Sequence, residues 1–449
     1  MTTAVAEAPP SPARPVPVSR SYRFELVKLL SQWRVRVLLL ACLIGPAGFV
    51  AVVSQQSSLP SDTTFGRWMS ATGWAGPLVL LGFSGTYALP LLTSLIAGDV
   101  FAVEDRLGTW RHLLVAVRSY QRIFAAKTLA SLTVIVLLVA GLAGSAIVGG
   151  LAAVGGQPLV GLDGHLLSSG ASAGKVLLAW VCALAPTLAL GAIGLLGSVA
   201  LGRSPMGLVL PVLVALAMEL AQLLPLPIAV RLALPSYGFI AWIGLFTDPV
   251  QLGPLLISIV VSVIWAVVAG ALAYRLFVRR DFTNVSNDGA GRRALAVGAL
   301  PLIAVLLVTI GVITWSARPV GSGIDKDKLQ RSVATAFAHL YRLQASEMHR
   351  PDVPESALGA AAACTKGTGQ AAQEGPGNDW RCAIAWHLPG VATAQSAIYE
   401  LDVTTDGRYA ADGDGPMQVN GYFMVHTATG DEPNPLWQFD GNVELLRQR

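Results

Sequence analysis

Few residues of this chain have the types and spacing that catalysis, nucleotide binding or metal binding requires. The closest approach to a phosphate-binding loop, Gly170 to Val176, is one residue short between its glycines and lacks the hydroxyl that holds Mg²⁺. The six histidines are scattered, so we expect no bound metal. Asp412 and Asp414 match only a fragment of a calcium-loop pattern, which favours a turn. We also find no nucleophile–base pair in the sequence. We therefore expect that this chain is not an enzyme and that it binds no cofactor itself.

Charged residues are instead concentrated in one stretch, Asp99 to Lys127, between two apolar runs. A protein that only sits in lipid has no use for so long a charged surface helix, whereas one that is pushed by a soluble partner does. The part of this stretch from Asp99 to Arg122 therefore predicts a coupling surface. The alternative is a solvated connector that carries the ordinary basic residues of an inner loop.

The stretch resembles the cytoplasmic loop of ABC-2-type (type V exporter-like) transporter permeases. In that family an acidic residue precedes a Gly-Thr pair, an apolar run, a Ser flanked by basic residues and a Lys that opens the next helix. The matching positions here are Glu104, Gly108-Thr109, Leu113-Leu114, Arg118-Ser119 and Lys127. The chain departs from the family pattern at Val117, where Pro is common, and at Tyr120, where Arg is common. The order of elements over residues 21–280 adds to the resemblance.

The resemblance implies a permease subunit that works with two copies of a separate ATPase chain and with a second permease chain, as a homodimer or heterodimer. ATP and Mg²⁺ would be bound by the ATPase, whose closure would move the permease and drive export of a lipid, glycan, peptide or drug-like substrate. Aromatic and Arg side chains are the usual anchors of such contacts. The expected ATPase-coupling residues are Glu104, Asp105, Arg106, Leu107, Gly108, Thr109, Trp110, Arg111 and Leu114.

Residues 21–34 have the apolar period of an amphipathic helix that lies at the membrane interface. The apolar positions include Leu26 and Leu29, with Glu25 and Lys28 elsewhere. The segment resembles the elbow helix that begins ABC-2 permeases, and its candidate residues are Glu25, Lys28 and Trp33. An ordinary juxtamembrane helix is the alternative.

Glu219 is the carboxylate that lies well inside an expected membrane span. An ionisable group there costs roughly 2.5–3.5 kcal/mol on insertion scales, so it should face protein or a water-filled path. With Tyr87 and Gln222 it forms our candidate substrate path. A structural hydrogen bond near the outer end of the helix is the alternative.

These residues must be positioned by membrane helices, because 53% of the chain is hydrophobic, 13% is charged and the mean hydropathy is +0.58. The fold class we expect is an α-helical polytopic membrane protein: an ABC-2-like core of six helices over residues 35–280, a seventh helix, and a small α+β domain. The expected helices are Val35–Val53, Ala75–Ala97, Ile123–Val154, Lys175–Leu201, Met206–Leu223, Leu252–Val278 and Ala294–Ser316. Residues 224–250 are too broken to span and too apolar for a free loop, and they resemble the re-entrant outer helices of ABC-2 permeases.

The distribution of Lys and Arg residues predicts how the chain is oriented in the membrane. The expected inner segments hold 17 Lys and Arg residues and the outer ones hold three, which predicts a cytoplasmic N-terminus in a bacterial cytoplasmic membrane. The membrane part carries a net +9, explained by this topology rather than by a nucleic-acid partner, and residues 318–449 carry −5. Residues 1–20, rich in Pro, are expected to be a disordered tail.

The C-terminal region, residues 318–449, then lies outside the cell. A helical run, Asp325–Ser346, precedes several strand-like runs, which predicts a helix packed on an antiparallel sheet. Cys364 and Cys382 are expected to form a disulfide there, because that compartment is oxidising.

Two other classes of protein remain open. A membrane anchor or sensor that presents the external domain would leave six further helices and the charged stretch unexplained. An ATP-independent carrier is disfavoured because the chain has no convincing internal repeat and few intramembrane charges.

Overall fold

The structure is a computed structural model of the 449-residue chain. It describes residues 17–55, 68–69, 71–201, 206–280, 282, 291–319, 321–367, 373–427 and 430–446. Most of the tail that we expect to be disordered, residues 1–20, lies outside the described residues. Its final part, from Val18, already belongs to the first helix.

Helices make up the N-terminal part of the protein. In chain order they are α1 (Val18–Ser31), α2 (Trp33–Ser54), α3 (Ala75–Phe83), α4 (Leu89–Asp99), α5 (Ala102–Leu107), α6 (Trp110–Val117), α7 (Tyr120–Ala153), α8 (Ser169–Leu201), α9 (Met206–Leu223), α10 (Ile228–Leu232), α11 (Leu252–Val278) and α12 (Gly291–Ala317). A π-helical turn, Ser84–Ala88, joins α3 and α4 into one rod. Within the described residues, six helices are long and apolar enough to cross a membrane: α2, the α3–α4 rod, α7, α8, α11 and, from Gly298, α12. Six such helices are consistent with the expected multi-pass helical membrane protein.

The fifth expected crossing, α9, is helical over the expected residues, Met206–Leu223, but its apolar part is shorter than the other six. It begins just after α8 ends. Near its other end Gln222 donates to the hydroxyl of Ser236 at 2.9 Å and to the carbonyl of Arg231 at 3.3 Å. Its 18 residues extend about 27 Å, so α9 also leads from one end of the bundle to the other.

The bundle has two distinct ends. One, hereafter the loop end, holds α1, α5, α6 and residues 279, 280 and 282, which follow α11. The other, hereafter the domain end, holds the hairpin of β1 (Leu159–Val160) and β2 (Leu166–Leu167), residues 224–251 and the C-terminal domain. The 34 residues of α7, about 51 Å of helix, separate the two ends.

Residues 224–251 form short helical pieces. After α10 come two 3-10 helices, Pro235–Phe239 and Ala241–Phe246, and nearly all their side chains are buried. Their backbone groups find partners in the protein: Phe246 accepts from the Leu162 amide at 2.9 Å. Such broken backbone is tolerated at membrane depth only when it packs in protein. The re-entrant character of this segment stays a prediction.

The C-terminal domain packs one long helix, α13 (Lys326–Glu347), on a five-stranded antiparallel sheet. The sheet has the strand order β3-β4-β5-β6-β9, and a separate hairpin pairs β7 with β8. The strands are β3 (Ala361–Lys366), β4 (Gly377–Trp386), β5 (Gln395–Val403), β6 (Arg408–Gly413), β7 (Met424–Thr427), β8 (Gly430–Pro433) and β9 (Gln438–Asn442), and the short helices are α14 (Glu355–Leu358) and α15 (Met417–Asn420). A helix followed by a small sheet is the arrangement that the sequence predicts.

Alternate residues of β4 point into the core of this domain. Trp380, Cys382, Ile384 and Trp386 are buried, and the Trp386 ring lies 4.7 Å from that of Phe337 on α13. Strand β3 was not expected, because its alanines are weak strand formers. It pairs with β4 in a register that puts Cys364 opposite Cys382, and these two cysteines form the expected disulfide.

Candidate functional site

Lys127, near the start of α7, is only 1% exposed. Its ammonium lies 2.8 Å from a carboxylate oxygen of Glu104 and 3.0 Å from one of Glu25, and it donates to the Val100 carbonyl at 3.3 Å. Glu104 is fully buried and Glu25 is nearly so. A buried charge requires a partner, so Lys127 holds the two carboxylates of α1 and α5 against α7.

Lys28 of α1 completes the group by pairing with Glu104, and the Thr109 hydroxyl donates to the other oxygen of the same carboxylate. Glu25, Lys28, Glu104 and Lys127 are hereafter the charged core. Its two carboxylates and two ammonium groups balance to zero net charge. The charged core joins three helices that lie far apart in sequence.

The charged core keeps Glu104 ionised. Burial by itself raises the pKa of this carboxyl, but the charge of Lys127 and hydrogen bonds from Lys127, Lys28 and Thr109 outweigh burial and lower the pKa from 4.5 to about 2. At neutral pH Glu104 is therefore a permanent anion at the centre of the loop end.

Asp105 makes a second connection, to the end of α11. The Arg280 guanidinium donates to its two oxygens at 2.7 and 2.9 Å, and the Trp110 indole N–H donates to it at 2.7 Å. Bidentate Arg–carboxylate pairs fix geometry as well as contributing energy. The short helices α5 and α6 are thus tied to α1, α7 and α11 together.

Two left-handed residues shape this segment. Gly108, with φ of 67°, ends α5, and Arg118, with φ of 55°, ends α6. Ser119 then caps α7 by accepting from the Arg122 amide at 3.4 Å. The expected long surface helix is therefore wrong: the stretch folds as two short helices joined by a sharp turn at Gly108, where a side chain in the left-handed region costs about 1–2 kcal/mol.

Aromatic rings pack behind the charged residues. The Phe101 ring lies 5.5 Å from that of Phe124 and 5.2 Å from that of Phe277, and the Trp110 ring lies 5.4 Å from that of Phe277. These rings come from the loop segment, α7 and α11. Their packing joins the loop segment to α7 and α11.

Three of the residues that we expect to contact an ATPase are buried within this chain. Glu104 is 0%, Asp105 5% and Trp110 6% exposed, because Lys127 and Arg280 attract the two carboxylates and the aromatic rings enclose the indole. Their expected direct contact with a partner is corrected to an internal, supporting role. Thr109 and Leu114 are half-buried, and Gly108 is exposed at the turn.

The remaining residues of the segment form an exposed surface, hereafter the docking face: Arg106, Leu107, Arg111, His112 and Val115. Leu107 and Val115 are 65% and 71% exposed. Arg106 pairs with Asp99 at 2.5 Å, and the side chain of Arg111 is open to solvent. The docking face therefore combines apolar and basic side chains on a rigid support.

The first helix, α1, differs from expectation in its bounds and in the side chains that it buries. It spans Val18–Ser31 rather than residues 21–34, and Glu25 points into the protein because Lys127 lies there. Lys28 is half-buried, whereas Trp33 begins α2 and is 77% exposed. The apolar side chains of Phe24 and Val27 are exposed instead.

The three candidate path residues lie in different surroundings. Tyr87 lies in the π-helical turn and is 64% exposed on the bundle surface, whereas Gln222 is buried and bonded to the domain end. Glu219 is half-buried, and one of its oxygens has no hydrogen-bond partner among the described residues. Within the described part of the chain, Glu219 therefore has a carboxylate oxygen with an unmet hydrogen-bonding need. Gln222 instead has a structural role, because it bonds to Ser236.

Several contacts fasten the C-terminal domain to the domain end. Arg231 is 1% exposed and donates to the carbonyl of Thr405 in the turn between β5 and β6. In the β1–β2 hairpin the Asp163 carbonyl lies 3.0 Å from a ring nitrogen of His339 on α13. The Asp163 carboxylate accepts from the Asp248 amide at 2.6 Å.

Sequence reasoning missed the partners at both ends of the bundle. An acidic partner of Lys127 could have been predicted from the sequence, because a lysine inside an apolar run needs an anion. A partner of Arg280 could not have been predicted, because membrane topology already explains a basic residue at the end of a span. Arg231 and His339 are likewise ordinary loop and surface residues until the fold buries them.

Comparison of the chain with models of known protein families, and with curated protein sequences, found no match. Functional inference therefore rests on the residues and their geometry.

Proposed function

We propose that this chain is the membrane-spanning permease subunit of an ATP-driven transporter of the ABC-2 kind. It would act as an exporter of a lipid, glycan, peptide or drug-like substrate in a bacterial cytoplasmic membrane. A separate ATPase chain, in two copies, would hydrolyse ATP, and a second permease chain would complete the path. This chain contributes path and coupling but no hydrolytic chemistry.

The observation that carries the proposal is the rigid loop end. The charged core joins α5 to α1 and α7, and the Asp105–Arg280 pair joins it to α11. A passive connector has no need of two buried ion-pair groups, because buried charges are costly unless they are paired and hydrogen-bonded. A surface that must transmit force needs such rigidity.

The proposed mechanism follows from those connections. A partner that binds the docking face and moves it would displace α1, α7 and α11 together, since the charged core and the aromatic packing resist local yielding. The long helices would carry the motion to the domain end. There the fastened C-terminal domain would respond to, or receive, the transported substrate.

In this proposal the loop end is cytoplasmic and the C-terminal domain is extracytoplasmic. The disulfide between Cys364 and Cys382 supports an oxidising compartment for that domain. If α9 crosses together with the six long apolar helices, the loop end and the domain would lie on opposite sides of the membrane.

Affinity purification of the tagged full chain from its native membranes tests the proposal. We expect an ATPase chain to co-purify in stoichiometric amount. Leu107→Asp combined with Val115→Asp should reduce that recovery at least about tenfold, because apolar anchors at interface centres dominate binding. Val391→Asp, an exposed apolar position of the C-terminal domain, is the matched control and should leave recovery unchanged.

Absence of any ATPase from the unaltered chain would overturn the proposal and favour the carrier or the anchor. Equal recovery with the docking-face variant would show that the contact surface lies elsewhere. Gel filtration of both variants verifies that they fold.

A further inference from the structure

A polar cavity of about 390 Å³ lies at the domain end, between the C-terminal domain and the segment that precedes α11. Its volume falls within the range of roughly 300–1,000 Å³ that small-ligand sites occupy. One wall carries Arg331, Ser332 and Thr335 of α13, and the facing wall carries Asp248 and Gln251. The function proposed above does not involve this cavity.

The walls of the cavity are joined by a reciprocal pair of hydrogen bonds. The Gln251 amide donates to the Asn442 carbonyl at 3.2 Å, and the Asn442 amide donates back to the Gln251 oxygen at 2.8 Å. Ser332 donates to the same Asn442 carbonyl at 3.0 Å. The cavity is therefore preformed rather than a gap between independent parts.

Five charged side chains line this cavity: Asp163, Asp248, Lys328, Arg331 and Glu444. Two of opposite charge, Arg331 and Asp248, face it without pairing within the part of the chain that the structure describes. Among the described residues Arg331 has no ion-pair partner, and the carboxylate of Asp248 makes neither an ion pair nor a hydrogen bond. Lys175 is within electrostatic reach of Asp248 but does not approach to ion-pair distance. Asp163, which also lines the cavity, is already engaged by His165 at 2.5 Å. A ligand that carries an anion and a cation would satisfy both free groups.

An apolar groove of about 530 Å³ lies farther along α11. It is lined by Leu256, Ile257 and Val260 of α11 and by Val308 and Val312 of α12. Leu252, 47% exposed, lies between the two regions in sequence, one turn above Leu256 on the same face of α11. Leu446, which lines the cavity, lies against Gly253, one turn above Ile257.

We propose that cavity and groove together form a binding site for a zwitterionic phospholipid. Arg331 binds the phosphate, Asp248 binds the ammonium, and one acyl chain lies in the groove between α11 and α12. A lipid with only an anionic headgroup fits less well, because Asp248 would then have no cation to bind and would repel the phosphate. This inference is independent of the proposed transport function, since it concerns binding alone.

The test uses the full chain, purified in detergent and exposed to mixed micelles with equal amounts of phosphatidylethanolamine and phosphatidylglycerol. Native mass spectrometry then counts the lipids retained. We expect preferential retention of phosphatidylethanolamine, reduced about tenfold by Arg331→Gln or Asp248→Asn. Arg350→Gln and Asp402→Asn, the same changes at exposed positions away from the cavity, should have no effect.

A second variant tests the groove without touching the headgroup site. Val308→Trp fills the groove and should abolish retention, whereas Leu300→Trp, exposed on the same helix but outside the groove, should not. Soluble phosphoethanolamine, tested alone, distinguishes a free headgroup from a lipid, and should bind far more weakly than the lipid. Equal retention of both lipids, or retention unchanged by Arg331→Gln or by Val308→Trp, would overturn the proposal.

Discussion

At the scale of single residues, Lys127 is held between two carboxylates that come from different helices. A buried ion pair is weak evidence for stability by itself, because desolvation offsets much of the attraction. Removal of one partner is a different matter, since it leaves an uncompensated charge. In the charged core Lys127 contacts both Glu25 and Glu104, so its loss would leave two like charges facing each other.

Lys127→Met should therefore destabilise the detergent-purified chain by about 3–5 kcal/mol, the usual cost of breaking a buried pair. A lower melting temperature measures the effect. Lys175→Met, at the start of α8 and without an ion pair among the described residues, is the matched control and should change little. Adding Glu104→Gln to Lys127→Met should recover part of the loss, because fewer unpaired carboxylates remain. A melting temperature equal to that of the unaltered chain would contradict the role given to Lys127.

Glu104 also predicts a dependence of stability on pH. Its pKa is lowered in the folded chain, from 4.5 to about 2, chiefly by Lys127 acting against burial. The unfolded state therefore takes up the proton first on acidification. The contribution of Glu104 is fully present above about pH 4.5 and is lost as the pH falls toward about 2.

Melting temperatures measured between about pH 6 and about pH 3 should thus fall less steeply for Glu104→Gln than for the unaltered chain. Glu400→Gln, an exposed position on the open face of the sheet, serves as control and should keep the original slope. Identical slopes for all three proteins would show that Glu104 does not supply the effect.

At the scale of elements, the turn between α5 and α6 decides which side chains face inward. Gly108 adopts a φ of 67° with no neighbouring atom near the position of a Cβ, so backbone conformation rather than space requires glycine. Because Thr109 and Trp110 follow directly, the turn delivers a hydroxyl to Glu104 and an indole to Asp105. The charged core depends on this change of direction.

Gly108→Ala should cost about 1–2 kcal/mol, the penalty of the left-handed region for a residue with a Cβ. Gly174→Ala in α8 is the matched control: its surroundings are equally open, and alanine in a helix is favoured over glycine by roughly 0.5–1 kcal/mol. Opposite signs of the two changes in melting temperature are expected. If both variants are stabilised, the turn at Gly108 is not left-handed.

At the scale of the whole molecule, the loop end and the C-terminal domain lie at opposite ends of a helical bundle. Contacts such as Arg231 with Thr405 and Asp163 with His339 keep the domain seated on its end. Charge bias predicts that the loop end is cytoplasmic. The two ends should therefore differ in access from outside the cell.

Single cysteines at Val115 and Val391, both exposed, report that difference. In intact cells a membrane-impermeant maleimide should label Val391→Cys and should label Val115→Cys only after permeabilisation. The native Cys42 and Cys182 are buried and Cys364 is bonded to Cys382, so the unaltered chain is the background control. Labelling of Val115→Cys in intact cells would reverse the orientation and, with it, the proposed coupling.

Sequence by itself determined the apolar character, the approximate positions of the long apolar helices and the disulfide, because hydrophobic runs and a cysteine pair in a polar region are local properties of the chain. Met206–Leu223 and Leu252–Val278 match their predicted bounds residue for residue. Strand β3 escaped prediction, since its pairing with β4 rather than the propensity of its alanines makes it a strand.

Only the tertiary structure decided which charges are buried. Glu104 and Arg106 are neighbours of similar polarity in the sequence, yet Glu104 is enclosed and Arg106 is exposed. The difference arises because Lys127, 23 residues away, and Lys28, 76 residues away, converge on one carboxylate. A linear pattern records which side chains carry charge, but the partner that makes burial favourable is fixed only when distant helices pack together.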